Sequence, residues 1–147
     1  MTMTNAGEPV YDSPTKWVAD HIHEYVESEG EKGHSWRGTN VLLLTTRGRK
    51  TGNLRRSALI YGRHGDSYIV VASKGGHPHH PAWYLNLVAD PRVELQVGPE
   101  VLPATARPAD GAERQELWAQ MAEIWPDYDN YQKRTDRQIP VVVLEPA

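Results

Sequence analysis

The chain has 147 residues, 16 of them Lys or Arg and 19 Asp or Glu, for a net charge of −3; it contains no cysteine. That length suits one domain with a real core, and the absence of thiols excludes disulfides, thiolate metal sites and cysteine nucleophiles. The acidic balance, without a stripe of interleaved basic and aromatic residues, speaks against a nucleic-acid-binding module.

Residues 1–12 read as a disordered lead, lacking the basic and apolar regions of a secretory signal. Ser13-Pro14 reads as an N-cap followed by proline at the first helical position. Trp17, Val18, Ile22, Tyr25 and Val26 recur at helical spacing, which predicts an amphipathic helix over 14–28. Residues 29–40 are glycine-rich and polar, a loop. Strands are expected at 41–46, 57–63 and 67–73, the last two joined by a Gly65-containing turn. Lys74-Gly75-Gly76 breaks the pattern, and Ala82 to Val88 reads as a short helix closed by Asp90-Pro91. Strands follow at 93–97 and 101–107.

Asp110 and Glu113 have capping-box spacing ahead of a second amphipathic helix through Leu117, Trp118, Met121, Ile124 and Trp125. Pro126 stops it, Tyr128 and Tyr131 share a further helical turn, and Ile139 to Leu144 reads as a buried strand. Strands that cluster as hairpins rather than alternating with helices argue for an α+β fold, a mostly antiparallel barrel with flanking helices. No apolar run reaches the roughly 20 residues needed to span a bilayer, so a cytoplasmic protein is expected. Contact with a membrane surface remains open for the N-terminal amphipathic helix.

The densest chemical signal is Arg47 to Arg56, which holds five cationic side chains between two apolar runs. The segment lacks the Gly-Lys-Ser/Thr of a Walker loop, and no Gly-x-Gly-x-x-Gly occurs. It reads either as an anion cradle, with guanidinium forks from Arg49, Arg55 or Arg56 and a point charge from Lys50, or as a solvated turn. The strand exit Ala72-Ser73-Lys74-Gly75-Gly76 is expected beside it, letting Lys74 join the cations and a ligand approach the glycine backbone. On Pro81 to Leu87, Trp83 and Leu87 are expected to face the core, whereas Asn86 needs partners, a ligand or a loop. Core packing accounts for Trp125, and Tyr128 and Tyr131, neighbours on one helical face, read either as hydroxyls that meet a substrate or as peripheral packing. His77, His79 and His80 match no zinc spacing and have no acidic neighbours, so no metal site is expected.

In this order the segments resemble the deazaflavin-dependent nitroreductase family, whose enzymes use reduced coenzyme F420. The matching stretches are Gly48-Arg49-Lys50-Thr51-Gly52 with Arg55, Val70 to Gly76, Pro81 to Leu87 with Asp90-Pro91, and Tyr128 to Pro140 with Thr135-Asp136-Arg137. Two departures stand out: Ala58 where the family often has proline, and Trp125 where close relatives carry tyrosine.

The resemblance implies a split β-barrel, related to flavin-binding barrels. It also implies that the cofactor's phosphate and oligoglutamate tail meets Arg49, Lys50, Thr51, Arg55 and Arg56, with Lys74 nearby. The deazaflavin ring would lie along Ser57, Ala58 and Leu59, along Ala72, Ser73, Gly75 and Gly76, and along Ala82, Trp83, Tyr84 and Asn86. Tyr128 and Tyr131 would border a quinone or nitroaromatic acceptor, and with Ser73 would assist the proton that follows the hydride. An FMN-binding barrel oxidoreductase and a cofactor-binding protein without turnover are the alternatives. The number of subunits is not legible at this level.

Overall fold

A computed structural model describes residues 2–3 and 9–147; the remainder of the expected lead lies outside the described residues. Ten strands form one large, mostly antiparallel sheet: β1 (Thr2–Met3), β2 (Pro9–Asp12), β3 (Ser35–Trp36), β4 (Thr39–Arg47), β5 (Leu54–Ile60), β6 (Gly62–His64), β7 (Ser67–Val71), β8 (Arg92–Val97), β9 (Glu100–Pro108) and β10 (Val141–Pro146). The helices are α1 (Lys16–Glu27), α2 (Ala82–Ala89), α3 (Gly111–Ile124) and α4 (Asp127–Lys133). The hydrogen-bonded path runs β1-β2-β5-β4-β8-β9-β10-β7-β6, with β3 branching from β4. It does not close into a ring, so the fold is mixed α+β with an open sheet rather than a continuous barrel.

The sheet is curled. Leu42, Leu44, Val70, Leu95, Ala104, Val142 and Leu144 come from five strands, yet they meet in a single buried cluster on its concave side. The opposite faces of the same strands are also covered. Val41 and Leu43 pack under Ile22 and Tyr25 of α1, while Ile69, Val141 and Val143 pack under Leu117 and Met121 of α3. Burial on both faces is why β4, β7 and β10 read as unbroken apolar runs instead of alternating ones. Helix α1 is tied down at its buried end, where the Tyr25 hydroxyl accepts the Gly98 N–H at 2.7 Å and donates to the Gln96 carbonyl. Burial pushes that phenol up to about 12.

Several local expectations shift. Pro9–Asp12, expected as unstructured lead, is a strand running parallel to β5, with Asp12 opposite Arg56. The N-cap of α1 is Thr15, two residues after Ser13, whose hydroxyl instead accepts the Thr15 N–H. β5 starts at Leu54 rather than 57, which puts Arg55 and Arg56 on a strand and leaves only residues 48–53 as loop. The loop over 29–40 contains β3. The capping box does not form: Asp110 is the N-cap of α3 without a side-chain bond, and Glu113 is drawn away to Arg107 by a bidentate pair at 2.6 and 2.9 Å.

Candidate functional site

Two adjoining cavities open on the outer face of the curled sheet. The larger, about 580 Å³, lies between α1 on one side and α4 on the other. Its floor is strand surface, Val41, Ala58, Ile60 and Val71, and its walls are aromatic: Trp17, Trp36, Trp83, Trp125, Tyr128 and Tyr131. This is a size and character suited to a flat organic ring with a second small molecule against it. The aromatics brace one another. Trp36 and Trp125 stack at 5.6 Å, Tyr128 and Tyr131 meet edge-on at 6.1 Å, and the Trp125 indole donates to the Tyr131 hydroxyl at 3.3 Å.

The smaller cavity, about 410 Å³, is formed by the β4–β5 loop, β2 and the start of α2. Ser13, Ser57 and Trp83 line both cavities, so the two form one continuous groove. The loop that supplies its cations is rigid by construction. The Gly48 N–H donates to the Asn53 carbonyl, the Gly52 N–H to the Gly48 carbonyl, and the Arg47 guanidinium to the Gly52 carbonyl, all within 2.8 Å. Buried Asn86 fixes the loop to α2: its carbonyl oxygen accepts both the backbone N–H and the guanidinium of Arg49 at 3.2 Å, and its amide donates to the Thr46 hydroxyl. Of the two partners open to Asn86, a ligand or a loop, the loop takes the carbonyl end of the amide and Thr46, on the preceding strand β4, takes the other.

The cations of this segment divide by task. Arg56 is buried and grips Asp12 through two bonds at 2.7 and 3.1 Å, which locks β2 onto β5 and neutralises its charge. It is therefore a structural residue with one face in the groove, rather than an open fork for an anion. Lys50 and Arg55 are exposed, and among the described residues neither pairs with a carboxylate. Arg55 lies over the Tyr11 ring at 5.5 Å. Lys74, expected to join this cluster, instead lines the larger cavity, because the chain turns sharply after β7.

That turn carries the ring-side wall. Lys74, Gly75 and Gly76 all have left-handed backbones, at φ 46°, 62° and 82°. Gly76 has no room for a side chain, since a Cβ there would lie 2.6 Å from the Tyr131 carbonyl oxygen. Three carbonyls that the turn leaves without ladder partners are collected by one guanidinium. Arg137 donates to the carbonyls of Ala72 at 3.2 Å, Ser73 at 2.7 Å and His77 at 2.8 Å, and touches the His80 ring nitrogen at 3.1 Å. Burial holds Arg137 below the usual guanidinium range, and burial with the nearby Arg137 charge lowers His80. Thr135-Asp136-Arg137 was legible only as a matching motif; its function as a clamp depends on contacts 57 to 65 residues away in sequence.

The groove thus collects Arg49, Lys50, Thr51, Arg55, Arg56, Ala82 and Asn86 at its cationic end and Ala58, Leu59, Ser73, Lys74, Gly75, Tyr128 and Tyr131 at its aromatic end. Ala72, Gly76 and Tyr84 line neither cavity. Ala72 and Gly76 are buried behind the wall, and Tyr84 stacks on His80 at 4.8 Å. Leu87 is fully buried, and Trp83, half-buried, packs against the same core cluster as its spacing suggested while its remaining surface lines the groove. Sequence reading also missed what α1 and β3 contribute, Trp17, His21 and Trp36, and assigned Trp125 to packing. Two aromatics in sequence, far apart and on different elements, give no local sign that they will face each other. Tyr128 is buried, which raises its phenol well above the ordinary range and makes it a poor acid. Among the described residues no group of histidines and acids is placed to hold a metal.

Comparison with known proteins now bears on this groove. A family model described as F420H(2)-dependent quinone reductase matches residues 17–146. A Mycobacterium tuberculosis protein named F420H(2)-dependent quinone reductase is 42% identical over 143 residues, spanning 88% of this chain and 96% of its own. A solved structure of an F420-H2 dependent reductase, FDR-A, is 44% identical and covers 74% of this chain and 95% of its own, with a TM-score of 0.67. Another, described as a domain-swapped dimer, is 41% identical, covers 90% and 100%, and has a TM-score of 0.70.

Proposed function

The chain belongs to the F420H(2)-dependent quinone reductase family, and on that premise we propose that it reduces quinones, and nitroaromatic compounds as further acceptors, with coenzyme F420. The observation that carries this reading is the groove's polarity. Exposed Lys50 and Arg55 stand at one end, an aromatic chamber at the other, and Ser57 and Trp83 join them. Such a gradient fits a cofactor with a flat ring and a polyanionic tail. The phosphate of FMN would also balance Lys50 and Arg55, so it is family membership rather than the charge count that favours F420 over FMN. The curled sheet is read as a split barrel within one domain over 13–147.

The reduced deazaflavin, when bound, supplies a hydride. Everything else falls to the chain. Lys50 and Arg55 hold the tail, Arg49 and Asn86 keep the loop in shape, and the turn at Ser73 to Gly75 presents main-chain and hydroxyl groups to the ring. Trp36, Trp125 and Tyr131 wall off the remaining space, which orients a flat acceptor and excludes water from the transfer path. Among the described residues no helix is long and apolar enough to cross a membrane. Exposed Trp17, at the mouth of the chamber, is the side chain through which α1 would touch a membrane that carries a quinone.

The experiment is a fluorescence titration with F420, followed by oxidation of the reduced form against quinone and nitroaromatic panels. Saturable binding and turnover with a quinone are expected. A protein that binds FMN and ignores F420 would remove the reading.

A further inference from the structure

Hydride transfer to a quinone leaves an oxyanion that must be protonated, and the chamber is poorly supplied with acids. Among the described residues, no Asp or Glu lines it. Its tyrosines and Lys74 belong to classes that release protons only in alkaline solution, and burial moves Tyr128 further from release. One lining side chain belongs to the class that exchanges protons near neutrality, His21 on α1. Its placement is built. The Nε2 nitrogen lies 2.7 Å from the Gly33 carbonyl oxygen, which can only accept, so Nε2 carries a hydrogen and Nδ1 is left for exchange. Gly33 allows this approach: it has φ 93°, and a Cβ there would stand 3.1 Å from the imidazole.

We infer that His21 is the proton donor to the reduced acceptor, an inference that rests on the quinone reductase reading above. The balance is simple. The quinone gains two electrons and one hydrogen as hydride from the reduced deazaflavin. The imidazolium N–H bond breaks as the hydroquinone O–H bond forms. The imidazole takes its proton back from solvent, which also receives the proton the deazaflavin gives up on oxidation. The other titratable and polar groups around it are Lys74 on the turn after β7 and Tyr128 and Tyr131 on α4, which line the same chamber, Tyr25 and the exposed Lys16–Asp20 pair on its own helix, and the Gly33 carbonyl. A donor must be protonated, so the rate falls as pH rises.

The test compares wild type, His21→Gln and His21→Ala, all full length, in stopped-flow oxidation of bound reduced F420 by a soluble benzoquinone across pH. In parallel, NMR of histidine-labelled wild-type protein without cofactor follows the His21 ring with and without the hydroquinone. Glutamine keeps a donor for Gly33 while losing the titration. His21→Gln is expected to lose about 100-fold in rate together with the pH dependence, with F420 affinity unchanged. Added imidazole should restore part of the rate to His21→Ala. The hydroquinone should displace the wild-type His21 resonance, a readout that survives if either variant fails to fold. An active wild type matched by His21→Gln in rate and pH profile overturns the inference alone, as does a His21 resonance indifferent to hydroquinone. A wild type that oxidises reduced F420 with no quinone overturns the functional reading and the inference with it.

Discussion

The two ends of the groove meet at Ser57 and Trp83 but are assembled by opposite means. The cationic end is largely local: the 48–53 loop, closed by its own backbone bonds and pinned to α2 by Asn86, carries exposed Lys50, and exposed Arg55 follows directly on β5. The aromatic end is assembled from afar, with α1, β3, β5, the turn after β7, α2 and α4 all contributing to its lining. Charge on a self-closed loop can be altered without disturbing the fold. A chamber whose wall is strained backbone held by a distant arginine cannot.

Gly76 tests the second half of that contrast most severely. Gly76→Ala combines a left-handed backbone with a clash against the Tyr131 carbonyl, at a cost of about 3 kcal/mol. Differential scanning calorimetry should show Tm lower by roughly 10 °C. An unchanged Tm would mean the turn yields freely and the chamber is not a fixed wall.

Next in size is the cationic end. Lys50→Ala with Arg55→Ala should weaken F420 binding by about 30-fold, or about 2 kcal/mol, with Tm within about 1 °C of wild type. Loss of stability on the same scale as Gly76→Ala would erase the distinction between the two ends. A smaller effect is expected at the acceptor side. Trp36→Ala removes the partner of Trp125, so KM for a flat quinone should rise about fivefold, worth about 1 kcal/mol, while F420 affinity holds. An equal loss for cofactor and acceptor would put Trp36 at the ring rather than at the substrate.

The smallest effect concerns pH. His80 is held below its ordinary range in the folded state, so its contribution is present above the unfolded imidazole range and is lost as pH falls through the folded value. Amide exchange at Gly75 and Gly76, corrected for intrinsic rates, should therefore quicken on mild acidification. His80→Gln should flatten that response.

Much of the local architecture was legible. Hairpins announced by Gly65 and Gly98 sit where turn chemistry put them; the apolar run at 41–46 lies within β4, and the strand expected over 139–144 is β10, starting two residues later at Val141, with both faces covered in each case. What escaped was non-local. Pro9–Asp12 becomes a strand only because β5 offers it an edge and Arg56 a charge. Arg56 itself looked like one more cation in a basic run, and nothing adjacent in sequence reveals a partner 44 residues away. The barrel was read from hairpin clustering, which constrains neighbouring strands but is silent on whether the end strands pair. His21 and Trp36 stayed unmarked because a cavity wall built by several elements leaves no periodic trace in any one of them.

The central claim is that one end of the groove reads charge and the other reads a ring. The most direct measurement is F420 affinity as a function of ionic strength, beside that of the deazaflavin ring with its ribityl chain but without phosphate or glutamates. The account predicts that affinity for whole F420 falls as salt rises, whereas the tail-less compound binds more weakly and with little salt dependence. Equal salt dependence for the two compounds would contradict it.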